Sequence, residues 1–314
     1  MESVGMNDAL HYGQLRIMEL DAVGAQVMDL DLGRLHAPEV REELYTLWLH
    51  HGVILFRDTG ATREQHVELS KIFGPLEIHA IPKVRVPGYE ELVEIREQGG
   101  YYVVDGQLLG GFIPWHQDSC YTPDISKGAI LFMDSPASEG GQTGWIDTAK
   151  AYAGLPDDIK NRIDGLEVVM RVHNARPDGM RFVQKERPFR RPTAEESPGE
   201  NLSMPDFPPV VHPLVVTHPE SDLKSLSISP SNVDAILGLE RAESEELLTT
   251  LIDHVFRAEY RYVHRWQQGD MMLWDNRRTL HQAFGWPPGM KRVAFRTTLQ
   301  GAMRTGRYLD ESPR

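Results

Sequence analysis

The stretch that most constrains this chain is Trp115-His116-Gln117-Asp118. A histidine and a carboxylate two residues apart project from one face of an extended strand, because side chains alternate with period two. One edge of a sheet can thereby grip one metal ion, if a third ligand arrives from elsewhere. His281 is the candidate. It follows Met271-Met272-Leu273-Trp274-Asp275-Asn276-Arg277, a short apolar strand running into a polar turn. Two histidines and one carboxylate on one side of a metal leave three positions open, a ligand set that suits ferrous iron and oxygen chemistry. The tripeptide is weak by itself, since a chain with 13 His holds about one H-x-D by chance. The rest of the chain has to decide.

The composition narrows the partners. A net charge of −13 over 314 residues argues against nucleic acid and against anionic membrane surfaces. It leaves open a small anionic substrate, which senses the local field of a pocket. The single cysteine, Cys120, precludes an internal disulfide framework and fits a reducing compartment. The first residues carry neither a basic nor an apolar leader region, and no run approaches a membrane span. A soluble cytoplasmic protein is expected, folded as one domain over 1–314.

Strands are expected within 15–32, at Val53-Ile54-Leu55-Phe56, from Glu77, at Ala129 to Met133, from His212, and at Val293 to Leu299. Two more, Tyr262 to Trp266 and Met271 to Trp274, are expected to join at Gly269-Asp270. A helix should begin at Pro38, bury Val40, Leu44, Leu47 and Trp48, and stop at Gly52. Thr62-Arg63-Glu64-Gln65 has capping-box spacing and should open a second helix. Short helices are expected over 147–153 and 156–163, and a longer amphipathic one over 243–256. The glycine-rich segment 99–111 is positioned to fold over the metal pair. Gly140-Gly141-Gln142-Thr143 makes a tight turn that presents a hydroxyl. The stretch 171–209 lacks periodicity and reads as an active-site cover, with disorder as the alternative, because loops of that length are otherwise uncommon in compact domains. His50, His51, His66, His212 and His218 read as structural. Few helices and many short strands suggest a mainly β fold with helical decoration, a sandwich or jelly roll.

Taken in order, several segments resemble the TauD/TfdA family of taurine and phenoxyacetate-type herbicide dioxygenases. They are Gly52 to Arg57, Phe73-Gly74-Pro75-Leu76, Trp115 to Asp118, Gly140 to Thr143, His212-Pro213, His218-Pro219, Trp274 to Arg277, and His281. The resemblance implies a double-stranded β-helix with a cupin-like core, working with Fe(II), 2-oxoglutarate and O2. It makes His116, Asp118 and His281 the iron ligands. Arg292, eleven residues beyond His281 (292 − 281), matches the arginine that pairs with the far carboxylate of 2-oxoglutarate, and Thr143 matches the threonine that supports it. A planar guanidinium suits such bidentate recognition. Arg296 and His79 match substrate-side positions and imply a substrate bearing a carboxylate or sulfonate. Where taurine dioxygenase offers a tyrosine and an asparagine, this chain has Pro82 and Phe112, which points to a larger, more apolar or aromatic acid with Phe112 in its pocket. The implied reaction is hydroxylation of an unactivated C–H bond with release of succinate and CO2. Desaturation, cyclisation or oxidative C–O or C–S cleavage is the alternative. A homo-oligomer is compatible with the resemblance.

Two rivals come from other classes. A non-catalytic metal-binding jelly roll would keep the three ligands but would not need Arg292 or Thr143. A zinc hydrolase would need a general base near the metal, and the chain contains no H-E-x-x-H motif.

Overall fold

In the computed structural model, residues 10–96, 100–172, 180–196, 206–301 and 304–311 are described. Two sheets dominate. The larger has nine strands in the order Leu10–Tyr12, Leu15–Glu19, Ala25–Met28, Val53–Phe56, Met271–Asp275, Gly128–Ser135, Val293–Leu299, Tyr89–Ile95 and Arg85–Val86. The smaller has six, in the order Phe189–Arg190, Tyr102–Val104, Gln107–His116, Thr279–Trp286, Thr143–Asp147 and Arg261–His264. Pairing between these strands is antiparallel except where Ala25–Met28 meets Val53–Phe56. This is the jelly-roll architecture expected from the sequence.

Alternation along the strands explains the layers. Val53, Leu55, Ala129, Leu131, Met133, Met272, Trp274 and Ala294 of the larger sheet meet Trp145 of the smaller one in an apolar layer between the sheets. The intervening residues Ile54, Phe56, Ile130, Met271 and Leu273 point outward and pack with Leu44, Leu47 and Trp48 of helix Pro38–His51. On the far side, Trp115, Ile146 and Leu280 pack against Leu247, Leu248, Leu251 and Val255 of helix Arg241–Val255. Strands covered on both faces read as unbroken apolar runs, and Val53-Ile54-Leu55-Phe56 and Met271-Met272-Leu273-Trp274 are such runs.

Helix Pro38–His51 ends as expected at Gly52, whose φ of 73° lets its N–H reach the Trp48 carbonyl at 2.8 Å. The capping box is present: Gln65 N–H donates to Thr62 Oγ1 at 3.2 Å, and Thr62 N–H to Gln65 Oε1 at 3.0 Å.

Four expectations need correction. No strand begins at Glu77; the segment makes only an isolated bridge, Leu76 with Leu299. Over 100–111 the glycines do not form a flap. They sit in a hairpin of Tyr102–Val104 with Gln107–His116, turned at Asp105 and Gly106 with φ of 51° and 82°. The strand expected over Tyr262 to Trp266 instead spans Arg261–His264; it is joined to Met271–Asp275 through Gly269-Asp270 as expected, and the two lie in different sheets. Finally, part of 171–209 is regular structure. Helix Arg181–Glu186 buries Phe182 and Val183, and Phe189–Arg190 pairs with Tyr102–Val104. That part packs on the outer face of the smaller sheet, behind the His116 strand. Residues 173–179 and 197–205 of the expected cover, and 97–99 of the glycine-rich segment, lie outside the described residues.

Candidate metal centre and active site

Strand Gln107–His116 pairs with Thr279–Trp286 so that His116 stands opposite His281. The two imidazoles come side by side, with ring centroids 4.1 Å apart. His116 ends its strand, and the chain turns through Gln117, Asp118 and Ser119, the last with φ of 59°. This turn carries the Asp118 carboxylate back to the histidines. Asp118 Oδ1 lies 3.5 Å from His116 Nε2, and Oδ2 lies 3.6 Å from His281 Nε2. One ligand atom from each residue falls within 4.8 Å of the others. The structure thus brings together the three ligands that the sequence had placed 165 residues apart (281 − 116).

The turn is held by a residue the sequence reading had not singled out. Asn276 is fully buried. Its Oδ1 accepts from Asp118 N–H at 3.0 Å, and its Nδ2 donates to the Asp118 carbonyl at 3.0 Å. One side-chain amide therefore satisfies both backbone groups of the ligand residue, as a neighbouring strand would. Gln117 Nε2 returns a bond to the Asn276 carbonyl at 2.7 Å. Asp275, also fully buried, fixes the turn that carries Asn276 by accepting from His218 Nε2 at 2.9 Å and from Arg277 Nε at 2.9 Å.

A divalent metal fits this donor set. His116 Nδ1 bonds to the Pro114 carbonyl at 2.8 Å, which places its proton there and leaves Nε2 as the free ligand nitrogen. Burial, reinforced by His116, keeps the pKa of His281 well below its ordinary value, so that ring is neutral. Burial alone would raise Asp118, but Arg296 and the two histidines outweigh it and hold the carboxyl well below the usual range. A neutral His281 imidazole and an ionised Asp118 carboxylate are protonation states that a metal requires.

Two arginines complete the interior. Arg296, on strand Val293–Leu299, places Nη2 against Asp118 Oδ2 and its guanidinium 5.3 Å from the Trp274 ring. Arg292 is only 5% exposed. Its guanidinium lies 4.7 Å over the Trp286 ring, its Nε has no partner, and no carboxylate forms an ion pair with it among the described residues. Burial pushes its pKa down to about 10, which leaves it charged at neutral pH. Thr143 is buried, two residues from Trp145, which stands opposite His281. At the rise of a β-strand this sets Thr143 about 7 Å along the same interior face.

The remaining substrate-side candidates are not brought to the triad. His79 lies exposed in a loop, its Nδ1 accepting from Ile81 N–H at 3.1 Å. Phe112 is 3% exposed, with its ring 5.8 Å from Tyr102 and 5.3 Å from Phe189, in the core behind the sheet. The reason is a bulge. His116 faces His281, yet Ile113, not Pro114, faces Ala283. One extra residue reverses the alternation, so Ile113 joins the metal face and Phe112 leaves it. Ile113 is 49% exposed there.

A jelly roll whose interior carries two histidines and a carboxylate, beside one buried and one partly buried arginine, is the framework of a mononuclear non-haem metal oxygenase. The chain matches the family described as "Taurine catabolism dioxygenase TauD, TfdA family" over residues 16–298, and it belongs to that family. It is 34% identical over 261 residues to the (S)-phenoxypropionate/alpha-ketoglutarate-dioxygenase of Sphingobium herbicidovorans, covering 82% of this chain and 85% of that protein. It is 31% identical over 294 residues to the alpha-ketoglutarate-dependent 2,4-dichlorophenoxyacetate dioxygenase of Cupriavidus pinatubonensis, covering 89% and 95%. A putative alpha-ketoglutarate-dependent taurine dioxygenase from Burkholderia xenovorans superposes with a TM-score of 0.73 at 25% identity, over 96% of this chain and 100% of that one. AAD-2, solved in complex with Mn(II) and N-oxalylglycine, superposes with a TM-score of 0.71 at 26% identity, over 93% and 100%. The chain is accordingly an oxidoreductase of the 2-oxoglutarate-dependent dioxygenase type, with Fe(II), 2-oxoglutarate and O2 as its cofactor and co-substrates. No helix among the described residues is long and apolar enough to cross a membrane.

Proposed function

We propose that this enzyme hydroxylates an unactivated C–H bond of a small organic acid larger and more apolar than taurine, with release of succinate and CO2. The observation that carries the reading is Arg292, a buried guanidinium without a carboxylate partner among the described residues, in a chain whose His-Asp-His cluster is otherwise complete. A buried unpaired cation is costly in the free protein, and an anionic ligand relieves that cost.

His116, Asp118 and His281 hold the iron in this reading. Arg292 and the Thr143 hydroxyl receive the far carboxylate of 2-oxoglutarate. Bound in this way, iron and 2-oxoglutarate supply the O2 activation that breaks the C–H bond. The protein's own residues do the rest. Asn276 fixes the Asp118 turn, so the carboxylate meets the metal without reorganising. Arg296, held against Asp118 and over Trp274, receives the acid group of the substrate beside the metal. Ile113 offers the apolar contact that Phe112 was expected to give. Phe207, whose ring centroid lies 4.8 Å from that of Tyr121, contributes to the cover over the site. The whole machinery sits in a single catalytic domain.

The relatives named for phenoxypropionate and dichlorophenoxyacetate favour an aryl or aryloxy acid. Where the hydroxylated carbon bears an ether oxygen, the product collapses to a carbonyl and the released alcohol or phenol.

The test is an anaerobic titration of the apoprotein with Fe(II) and 2-oxoglutarate, followed through the visible charge-transfer band of the chelate. The band should appear, and succinate release should then depend on aryl or alkyl acids. Iron binding without a band would refute the dioxygenase site. Equal turnover of taurine and of every aryl or alkyl acid tried would refute the substrate class.

A further inference from the structure

We infer that Trp266 is a positioning residue for the co-substrate: its indole N–H holds the Thr143 hydroxyl as a hydrogen-bond donor toward an incoming carboxylate. The inference rests on the reading that Thr143 and Arg292 receive 2-oxoglutarate.

Trp266 Nε1 lies 2.9 Å from Thr143 Oγ1. An indole N–H can only donate, so the direction of this bond is fixed and the threonine oxygen is its acceptor. The hydroxyl proton is then left over. Thr143 is 5% exposed, and no second partner for Oγ1 is present among the described residues. A buried hydroxyl donor needs an acceptor. Arg292 Nε, equally buried, also lacks one. Trp266 and Arg292 line one cavity of about 370 Å³ together with Gly140, Gly141 and Gln142. Two unsatisfied donors, one of them cationic, call for a carboxylate.

Trp266 is itself braced. Its ring meets that of His264 edge-on at 4.8 Å. His264 Nε2 bonds to the fully buried Asp270 at 2.9 Å, and the Gln267 N–H donates to the same carboxylate oxygen at 2.9 Å. Asp270 thus folds the 264–270 loop into the one shape that brings the indole to Thr143.

The experiment measures binding anaerobically, by the chelate band, in the wild type and in Trp266→Phe. A benzothienylalanine at position 266 serves as a second variant, because it keeps the indole shape and lacks the N–H. Metal affinity is read separately with Co(II). We expect 2-oxoglutarate to bind roughly tenfold more weakly in both variants, the loss of one hydrogen bond to a charged group. Co(II) affinity should be unchanged. Affinity for 2-oxobutyrate, which has no far carboxylate, should also be unchanged. Combined with Thr143→Val, Trp266→Phe should add nothing further, since it acts through that hydroxyl. Equal weakening of 2-oxobutyrate, or full additivity with Thr143→Val, would overturn the inference, as would undiminished 2-oxoglutarate binding in the benzothienylalanine protein. Arg292→Ala separates this failure from failure of the underlying reading: if that variant also binds 2-oxoglutarate like the wild type, the carboxylate site itself is misplaced.

Discussion

Asp118 shows how much of a metal site lies outside its ligands. The H-x-D spacing made His116 and Asp118 legible as a pair, but not by the expected route: the strand ends at His116, and a turn rather than strand alternation brings Asp118 back to the histidines. Asn276 was not legible as a clamp, because its two bonds to residue 118 join segments 158 residues apart. We expect Asn276→Ala to lower stability by about 2 kcal/mol, since it leaves both backbone groups of Asp118 unsatisfied. Its affinity for Co(II) should fall roughly 10- to 100-fold, the usual effect of losing a partner that orients a ligand. Urea unfolding and calorimetric titration measure the two effects. Arg292 behaves in the opposite sense. Arg292→Ala should weaken 2-oxoglutarate at least about thirtyfold, as truncating a buried charge partner does. The ligand-free variant should nonetheless melt higher than the wild type, because an unpaired buried guanidinium is a cost until its anion arrives. Thermal melts with and without metal and 2-oxoglutarate check both signs.

Strand Gln107–His116 shows what an element conceals. Its apolar residues were visible, but the bulge that decides which of them face the metal was not. A bulge is set by pairing with Thr279–Trp286, a strand far away in sequence. Phe112 was therefore assigned to the substrate and belongs to the core. Phe112→Ala should cost about 3–5 kcal/mol, the range for truncating a buried aromatic, and leave the ranking of substrates intact. Ile113→Ala should change stability by no more than about 0.5 kcal/mol while raising KM for apolar acids. Denaturant unfolding beside steady-state kinetics separates the two. The helix Arg181–Glu186 escaped for a related reason: six residues are too short for helical periodicity, and its burial of Phe182 and Val183 depends on the sheet beneath. Helices Pro38–His51 and Arg241–Val255 were readable because each spans at least three turns with a continuous apolar face.

For the molecule as a whole, acid should act in two stages. Burial pushes His66 down to about 3 and His51 down to about 4, both from an ordinary 6.5. The unfolded chain takes up protons that the fold refuses, so this stabilisation is complete above pH 6.5 and drains away as pH falls toward those values. Carboxylates follow. Burial alone would raise Glu220, but Arg277 and Tyr45 hold it at about 2, and His218 and Arg277 likewise hold Asp275 low. Their contribution is present above the ordinary carboxylate range and is lost below it. The melting temperature should thus decline from pH 6.5 and fall faster below about 4.5. His66→Gln should flatten the first stage, which calorimetry across pH would reveal.

The pairing of His116 with His281 also sets a clock. That register closes a loop of 165 residues (281 − 116), and contacts between such distant segments form late. Until they form, the chain offers a metal only the adjacent His116 and Asp118. During refolding, tight capture of Co(II) should therefore lag behind the appearance of β-structure, and its arrival would time the moment at which the two halves of the barrel meet.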